Sequence, residues 1–205
     1  MQFVRLLLLA LLVGSAHAGP GREALDRFLS ELSTLEARFE QAVLDTENNR
    51  QGLFHGIVQI KRPDRFRWDY IAPEKKHIIA DGRDVWMVDV ELNQVTQHYQ
   101  KWALKNTPAT LLLSNEPLEN TFDVVELGER QQMQWLELLP VDAESDILRV
   151  LLAFKDDRLL RLEMTDKFGQ ISRFSFFEIK RNLELSDELF EFEAPFGWDV
   201  FSQDG

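Results

Sequence analysis

The sequence predicts a mainly β protein, built as one large antiparallel sheet or barrel with a few helices packed against it. Apolar and polar residues alternate with a period of two in short segments along most of the chain, as they do in half-buried strands. Polar turns separate these segments at intervals of roughly ten residues, which favours consecutive antiparallel strands. Few segments have the spacing of an amphipathic helix.

The N-terminus is predicted to be a secretory signal peptide that covers residues 1–18. The apolar run at residues 6–13 is too short to span a bilayer, and Ala16 and Ala18 supply the small residues of a cleavage site. Cleavage after Ala18 would leave residues 19–205, a length that fits a single domain. We therefore expect an exported chain with one domain.

The first element of the mature chain is predicted to be a helix over residues 22–34. Apolar residues recur there with the i, i+3, i+4, i+7 spacing of one helix face. The period then changes to two, because Leu35 and Phe39 lie on one side of a segment whose other side is charged. A strand is therefore expected to follow the helix directly.

The same alternation predicts eight further strands and leaves room for one more helix. Pro108 suits the first turn of a helix over residues 108–113, and Thr107 before it is a suitable N-cap. Residues 45–51 form a polar hairpin loop that is too short to separate two domains. The predicted strands are residues 54–60, 66–70, 85–88, 122–127, 133–139, 148–154, 159–164 and 171–179.

Charge and cysteine content exclude several classes of function. Asp and Glu number 35 against 23 Lys and Arg, so the formal net charge is -12. A surface this acidic repels phosphate backbones, and we expect no nucleic-acid partner. The chain contains no cysteine. Disulfides, thiol nucleophiles and thiolate metal ligands are therefore impossible.

No catalytic or metal-binding constellation is recognisable. The sequence lacks the nucleophile-elbow, zinc-protease, phosphate-loop and dinucleotide motifs. Three histidines follow the predicted cleavage site, namely His55, His77 and His98, and no two of them have the spacing of a zinc site on one helix. We therefore expect a protein that is not an enzyme, with no catalytic residue, metal or cofactor. A hydrolase that uses these histidines is the weaker alternative.

The aromatic residues are the most distinctive feature of the composition. Phe66, Trp68 and Tyr70 lie on one face of a predicted strand, and Trp86 lies on another segment. These rings could fill an ordinary core between sheet and helices. They could equally line the concave face of a curved sheet and leave an apolar pocket for a lipid-like ligand. Periodicity alone does not decide between the two interpretations.

An ordered set of short motifs resembles the LolA family, the periplasmic carriers of outer-membrane lipoproteins. The motifs span nearly the whole mature chain in the family's order, although each alone is weak. They are Arg62-Pro63-x-x-Phe66-Arg67-Trp68-x-Tyr70, Pro73, Asp81-Gly82-x-x-Val85-Trp86, Gln94-Val95, Asn106-Thr107-Pro108, Leu111-Leu112, Asp166-x-x-Gly169-Gln170 and Phe190-x-Phe192-x-x-Pro195-x-Gly197.

The resemblance implies a fold and a set of partners. The fold is an incomplete, half-open antiparallel β-barrel with a lid of short α-helices over an apolar cavity. The implied protein is a monomeric periplasmic chaperone without cofactor or enzymatic step. It accepts acylated lipoproteins from an inner-membrane ABC transporter, shields their acyl chains and delivers them to an outer-membrane receptor. That receptor is lipid-anchored, so the absence of cysteine favours the soluble carrier.

The resemblance also assigns roles to individual residues. Arg62 corresponds to the arginine that latches the lid, because a guanidinium can hold exposed carbonyls of a lid helix. The cavity that binds the lipid is expected to be lined by Phe39, Phe66, Trp68, Trp86, Leu111 and Leu112. A generic periplasmic lipid- or glycolipid-binding protein, or an envelope sensor of the same fold, is the principal alternative.

Overall fold

The computed structural model describes residues 19–104, 108–113 and 116–203. Within these ranges the chain forms twelve strands, three α-helices and two 3₁₀ turns. The helices are α1 (Pro20–Glu31), α2 (Gln100–Ala103) and α3 (Pro108–Leu113), and the 3₁₀ turns are Leu118–Asn120 and Asp187–Phe190. The strands are β1 (Thr34–Leu44), β2 (Arg50–Lys61), β3 (Arg65–Ala72), β4 (Lys76–Asp81), β5 (Asp84–Asp89), β6 (Gln94–Tyr99), β7 (Phe122–Arg130), β8 (Met133–Pro140), β9 (Ile147–Lys155), β10 (Arg158–Asp166), β11 (Ile171–Arg181) and β12 (Asp199–Gln203).

All the described strands belong to one sheet, in the order β12-β6-β5-β4-β3-β2-β1-β11-β10-β9-β8-β7. Consecutive strands pair antiparallel from β1 to β6 and again from β7 to β11, and β1 joins the two halves by pairing with both β2 and β11. The last strand, β12, pairs parallel to β6. The sheet does not close, because β7 and β12 form its two edges. The predicted fold class, a mainly β protein with an incomplete barrel and few helices, is therefore confirmed.

The sheet is strongly curved, as the contact between Trp68 on β3 and Phe174 on β11 requires. Two strands lie between β3 and β11, so a flat sheet would separate them by about 14 Å at the usual strand spacing. Their rings are nevertheless only 5.3 Å apart, centroid to centroid. The inward side chains of distant strands therefore meet across a concave face.

The main core lies on this concave face beneath α1. Leu25 and Phe28 of α1 are completely buried, and the Phe28 ring packs edge-to-face against Phe154 of β9 at 5.5 Å. Burial of one such side chain contributes about 1.5–3 kcal/mol. On β1 the buried residues Leu35 and Phe39 follow the predicted period of two. The helix is thus held on the sheet mainly by its apolar face.

The observed elements differ from the predicted ones in a few places. Helix α1 begins and ends earlier than the predicted residues 22–34, because Leu32 already has an extended backbone and β1 begins at Thr34. Helix α3 has the predicted bounds. Strands β4, β6 and β12 were not predicted. The predicted signal peptide and the predicted cap at Thr107 lie outside the described residues. None of the described helices is long and apolar enough to cross a membrane.

Candidate functional site

A cavity of about 300 Å³ lies between the concave face of the sheet and helices α2 and α3. Among the described residues that line it, only Trp68 and Tyr70 carry a nitrogen or oxygen atom in the side chain. The lining consists of Val58, Ile60, Phe66, Trp68, Tyr70, Ile78, Val85, Met87, Ala103, Leu104, Ala109, Leu112, Leu113, Leu162, Met164, Phe174 and Phe176. A wall of this composition suits a hydrocarbon ligand.

Alternation along the strands places these side chains. Phe66, Trp68 and Tyr70 occupy every second position of β3 and therefore share its inner face. Phe174 and Phe176 do the same on β11, where their rings are parallel and 6.3 Å apart. Contacts between aromatic rings add about 0.5–1.5 kcal/mol each beyond the area they bury. The cavity thus has a stiff aromatic wall made from two separate parts of the chain.

The polar end of Tyr70 is hydrogen-bonded away from the cavity. Its hydroxyl donates to Gln41 Oε1 at 2.8 Å, and Gln41 Nε2 donates in turn to Ser172 Oγ at 3.4 Å. Burial raises the pKa of the Tyr70 hydroxyl above its ordinary value. The hydroxyl therefore stays neutral at physiological pH, and the ring of Tyr70 contributes apolar surface to the cavity.

Arg62 fastens the C-terminal end of α1. Its guanidinium donates a short hydrogen bond to the carbonyl of Leu29, in the last turn of the helix. The last four carbonyls of a helix have no partner within the helix, and α1 has no basic residue of its own in that turn. Burial lowers the pKa of Arg62, but the ordinary pKa of arginine is so high that the side chain stays charged. Asn182 Nδ2 donates to the neighbouring carbonyl of Glu31 at 3.0 Å.

Two ion pairs also connect α1 to the loops around it. Arg22 binds the carboxylate of Glu119, and Arg27 Nη2 lies 2.9 Å from Asp157 Oδ1. The hydrogen bond from Arg22 holds the pKa of Glu119 below its ordinary value, and the bond from Arg27 does the same for Asp157. Arg22 is partly exposed and the other three side chains are largely exposed to solvent, so each pair adds little to stability.

The structure brings most of the predicted site residues together. Phe66, Trp68 and Leu112 line the cavity. Arg62 and Leu111 lie beside it, in a cleft of about 500 Å³ between α1 and α3. The cavity and the contact between Arg62 and α1 are therefore adjacent.

Two predicted cavity residues do not line the cavity. Phe39 is 1% exposed and lies behind Trp68, with ring centroids 4.6 Å apart, so it supports the wall from within the core. Trp86 lies on the convex face of β5, where its ring is 5.7 Å from Phe192 and its Nε1 donates to Asp81 Oδ2 at 3.2 Å. Its neighbour Val85 lines the cavity instead, because successive residues of a strand point to opposite faces.

The sequence reasoning missed the cavity residues on β10 and β11. Periodicity predicts Leu162, Met164, Phe174 and Phe176 only as strand residues, and the structure places them in the cavity wall. The sequence shows that these residues alternate with polar ones. It contains no local pattern from which one could predict that they face β3 across the cavity. That arrangement follows from the pairing of β1 with β11.

Two of the histidines lie beside carboxylates. His77 Nδ1 lies 2.6 Å from Asp69 Oδ1, and Arg67 holds the same carboxylate at 2.8 Å. His55 lies 3.8 Å from Glu40. In the described part of the chain no three potential metal ligands are grouped together.

Comparison with known proteins gives consistent matches along the chain. Residues 30–193 match the family model described as outer membrane lipoprotein carrier protein LolA. A protein called outer-membrane lipoprotein carrier protein from Nitrosospira multiformis is 36% identical over 203 residues, which cover 98% of each chain. The protein of that name from Leptothrix cholodnii is 37% identical over 202 residues, covering 98% of this chain and 95% of its own.

A solved structure supports the fold independently of these sequence matches. It is that of an uncharacterized conserved protein from Thermus thermophilus, to which the chain is 19% identical. The TM-score is 0.58, and the match covers 90% of this chain and 100% of the other. This similarity concerns the fold alone.

Proposed function

Because this chain belongs to the LolA family of outer membrane lipoprotein carrier proteins, we propose that it shields the acyl chains of lipoproteins in the cavity and carries them across the periplasm. The observation that carries the proposal is the apolar cavity beside the contact between Arg62 and α1. The family is named for carriage and not for a reaction, which agrees with the expectation that the chain is not an enzyme.

The energetic need for such a carrier is large. Each exposed CH₂ group costs about 0.8 kcal/mol, so an acyl chain of about sixteen carbons costs on the order of 10 kcal/mol in water. A carrier must remove this cost and still release its cargo. We propose that the contact between Arg62 and Leu29 keeps the cargo from binding too tightly. Breaking this hydrogen bond costs free energy, which offsets part of the free energy gained when an acyl chain enters the cavity.

The route is the finer part of the proposal. We infer that the chain is exported, is cleaved after Ala18, and acts in the periplasm as a monomeric domain of residues 19–205. It accepts lipoproteins from an inner-membrane ABC transporter and delivers them to an outer-membrane receptor. Removal of Arg5 with residues 1–18 changes the formal charge from -12 to -13, and this charge limits the adhesion of the mature protein to anionic membranes.

Release of a lipoprotein from spheroplasts tests the carrier role. The purified protein should release a triacylated lipoprotein, as a known carrier does in the same assay. Failure of this protein, with the known carrier active, would refute the proposal. Native mass spectrometry of the protein from the exporting cell gives a second reading, since bound free lipids without lipoproteins would favour a generic lipid-binding protein.

The variant Arg62→Leu tests the latch. We expect it to take up lipoprotein but to lose transfer to the receptor, because loading no longer has to break the contact with α1. Arg65→Leu is the matched control, since Arg65 pairs with Asp187 at 2.6 Å and does not line the cleft. Normal transfer by Arg62→Leu would remove the latch argument.

A further inference from the structure

The N-terminal end of α1 lacks the usual means of satisfying its backbone donors. The first four N–H groups of a helix have no partner within it, and a side chain at the N-cap normally accepts from one of them. Here the N-cap is Gly19, which has no side chain, and Pro20 has no N–H group. The donors that remain at the first helical positions are the N–H groups of Gly21 and Arg22.

A carboxylate from the edge strand takes both donors. Glu126 of β7 accepts from Gly21 N through Oε1 at 2.9 Å and from Arg22 N through Oε2 at 3.1 Å. Glu126 is 104 and 105 residues away from them in sequence, so these are tertiary contacts. A negative charge at the N-terminus of a helix is also favoured by the helix dipole.

The two glycines allow this close approach. A Cβ atom on Gly19 would lie 2.6 Å from Glu126 Cδ and Oε2, and one on Gly21 would lie 2.7 Å from Glu126 Oε1. A Cβ on Gly21 would also come within 3.1 Å of the Leu136 side chain. Neither position can therefore take a side chain while Glu126 stays where it is.

From this geometry we propose that Glu126 is a positioning residue that fastens the N-terminal end of α1 to β7, so that α1 stays on the sheet when an acyl chain enters. The inference rests on the proposed carrier function. Arg62 holds only the C-terminal end of the helix, where its bond to Leu29 breaks on loading, whereas Leu25 and Phe28 anchor the middle. No described residue of α1 lines the cavity, which α2 and α3 cover instead. Loading can therefore break the contact with Arg62 at the C-terminal end while the rest of α1 stays in place.

Residue-resolved hydrogen exchange of the purified protein tests the fastening without any cargo. In Glu126→Ala the amides of Gly21 and Arg22 should exchange about 5–30-fold faster, as expected when a helix loses an N-cap acceptor. Glu126→Gln has one acceptor oxygen in place of two, so only one of the two amides should lose protection. Glu129→Ala is the matched control, because Glu129 lies on the same strand and accepts from Gln134 instead of from α1. Unchanged exchange in Glu126→Ala would overturn the proposal.

A double-mutant cycle of Gly21→Ala and Glu126→Ala tests whether Glu126 acts through its contact with the start of α1 and not only through its charge on the surface. Gly→Ala within a helix normally stabilises a protein. Gly21→Ala should instead lower the Tm here by about 2–8 °C, because its methyl group displaces Glu126. In the Glu126→Ala background the same substitution should cost less. An equal effect of Gly21→Ala in both backgrounds would contradict the proposal.

A loaded sample completes the test. With a synthetic tripalmitoyl-cysteinyl peptide bound, the exchange of the Gly21 and Arg22 amides should stay within about threefold of the empty protein. Exchange that rises throughout α1 on loading would overturn the claim that the helix stays in place. A failure of the peptide to bind would count against the carrier function and would leave the result for the empty protein unaffected.

Discussion

Filling part of the cavity should shorten the acyl chain that the protein binds best. Ala109 of α3 lines the cavity, and Ala109→Phe adds one phenyl ring to it. A cavity of about 150 Å³ holds one benzene molecule, so about 300 Å³ holds roughly twelve carbons of a chain. The variant should therefore leave room for about half of that length.

The expected loss follows from the hydrocarbon that is excluded. Roughly six CH₂ groups at about 0.8 kcal/mol each give an upper limit of about 5 kcal/mol for a dodecanoyl chain. Movement of α3 will recover part of this, so we expect the Kd for a dodecanoyl peptide to rise about tenfold or more. The Kd for a hexanoyl peptide should change by less than about threefold, because the shorter chain still fits.

Displacement of a fluorescent acyl probe by a series of N-acyl cysteinyl peptides measures these constants. Val125→Phe is the matched control, since Val125 is 39% exposed and lies outside the cavity lining. An equal loss for the short and the long chain, or no loss for either, would refute the idea that the cavity measures chain length.

Two further predictions concern stability. Gly56→Ala should lower the free energy of unfolding by more than about 3 kcal/mol, because its Cβ would lie 2.0 Å from the Asp69 carbonyl oxygen and 2.5 Å from the Phe39 ring. Chemical denaturation measures the free energy of unfolding, and a loss below about 1 kcal/mol would contradict the prediction. On acidification, Glu119 and Asp157 should lose their ion pairs with α1. The pKa values of both carboxyls are lowered in the folded protein, from ordinary values of 4.5 for Glu119 and 3.8 for Asp157. The ion pairs therefore stabilise the fold fully when the pH is above these ordinary pKa values, and this stabilisation disappears as the pH falls through the lower pKa values of the folded state. Replacing both arginine partners by glutamine should therefore flatten the fall of Tm below about pH 4.5, and an identical slope would show that these pairs do not matter.

The sequence was most informative where apolar residues alternate over several positions. The strand that holds Phe66 and Trp68 was predicted from alternation alone, whereas the helix over residues 108–113 was predicted from Pro108 and the residue before it. Strand β6 gave no such signal, because Val95 is its one fully buried apolar residue and polar residues fill the other positions. Its strand state depends on pairing with β5 and β12, which a local pattern does not contain.

The side of the sheet was harder to predict than the strands themselves. Alternation shows that Val85 and Trp86 point to opposite faces, but it does not say which face encloses the cavity. The resemblance suggested Trp86, whereas the structure places Val85 there, and the C-terminal segment covers Trp86 through Phe192. Contacts between residues far apart in sequence decide such cases. The acceptor at the start of α1, Glu126, was missed for the same reason.

The unclosed sheet has a mechanical consequence. A closed barrel has a circumference set by its strand number and stagger, so its interior cannot widen without breaking ladder hydrogen bonds. Here the described strands β7 and β12 are not joined, and each neighbouring pair can change its twist slightly. Small changes of twist, distributed over all the strand pairs, would enlarge the enclosed volume while every hydrogen bond between the strands is kept. The volume of about 300 Å³ is thus that of the empty cavity, and this widening can add room for longer or additional acyl chains.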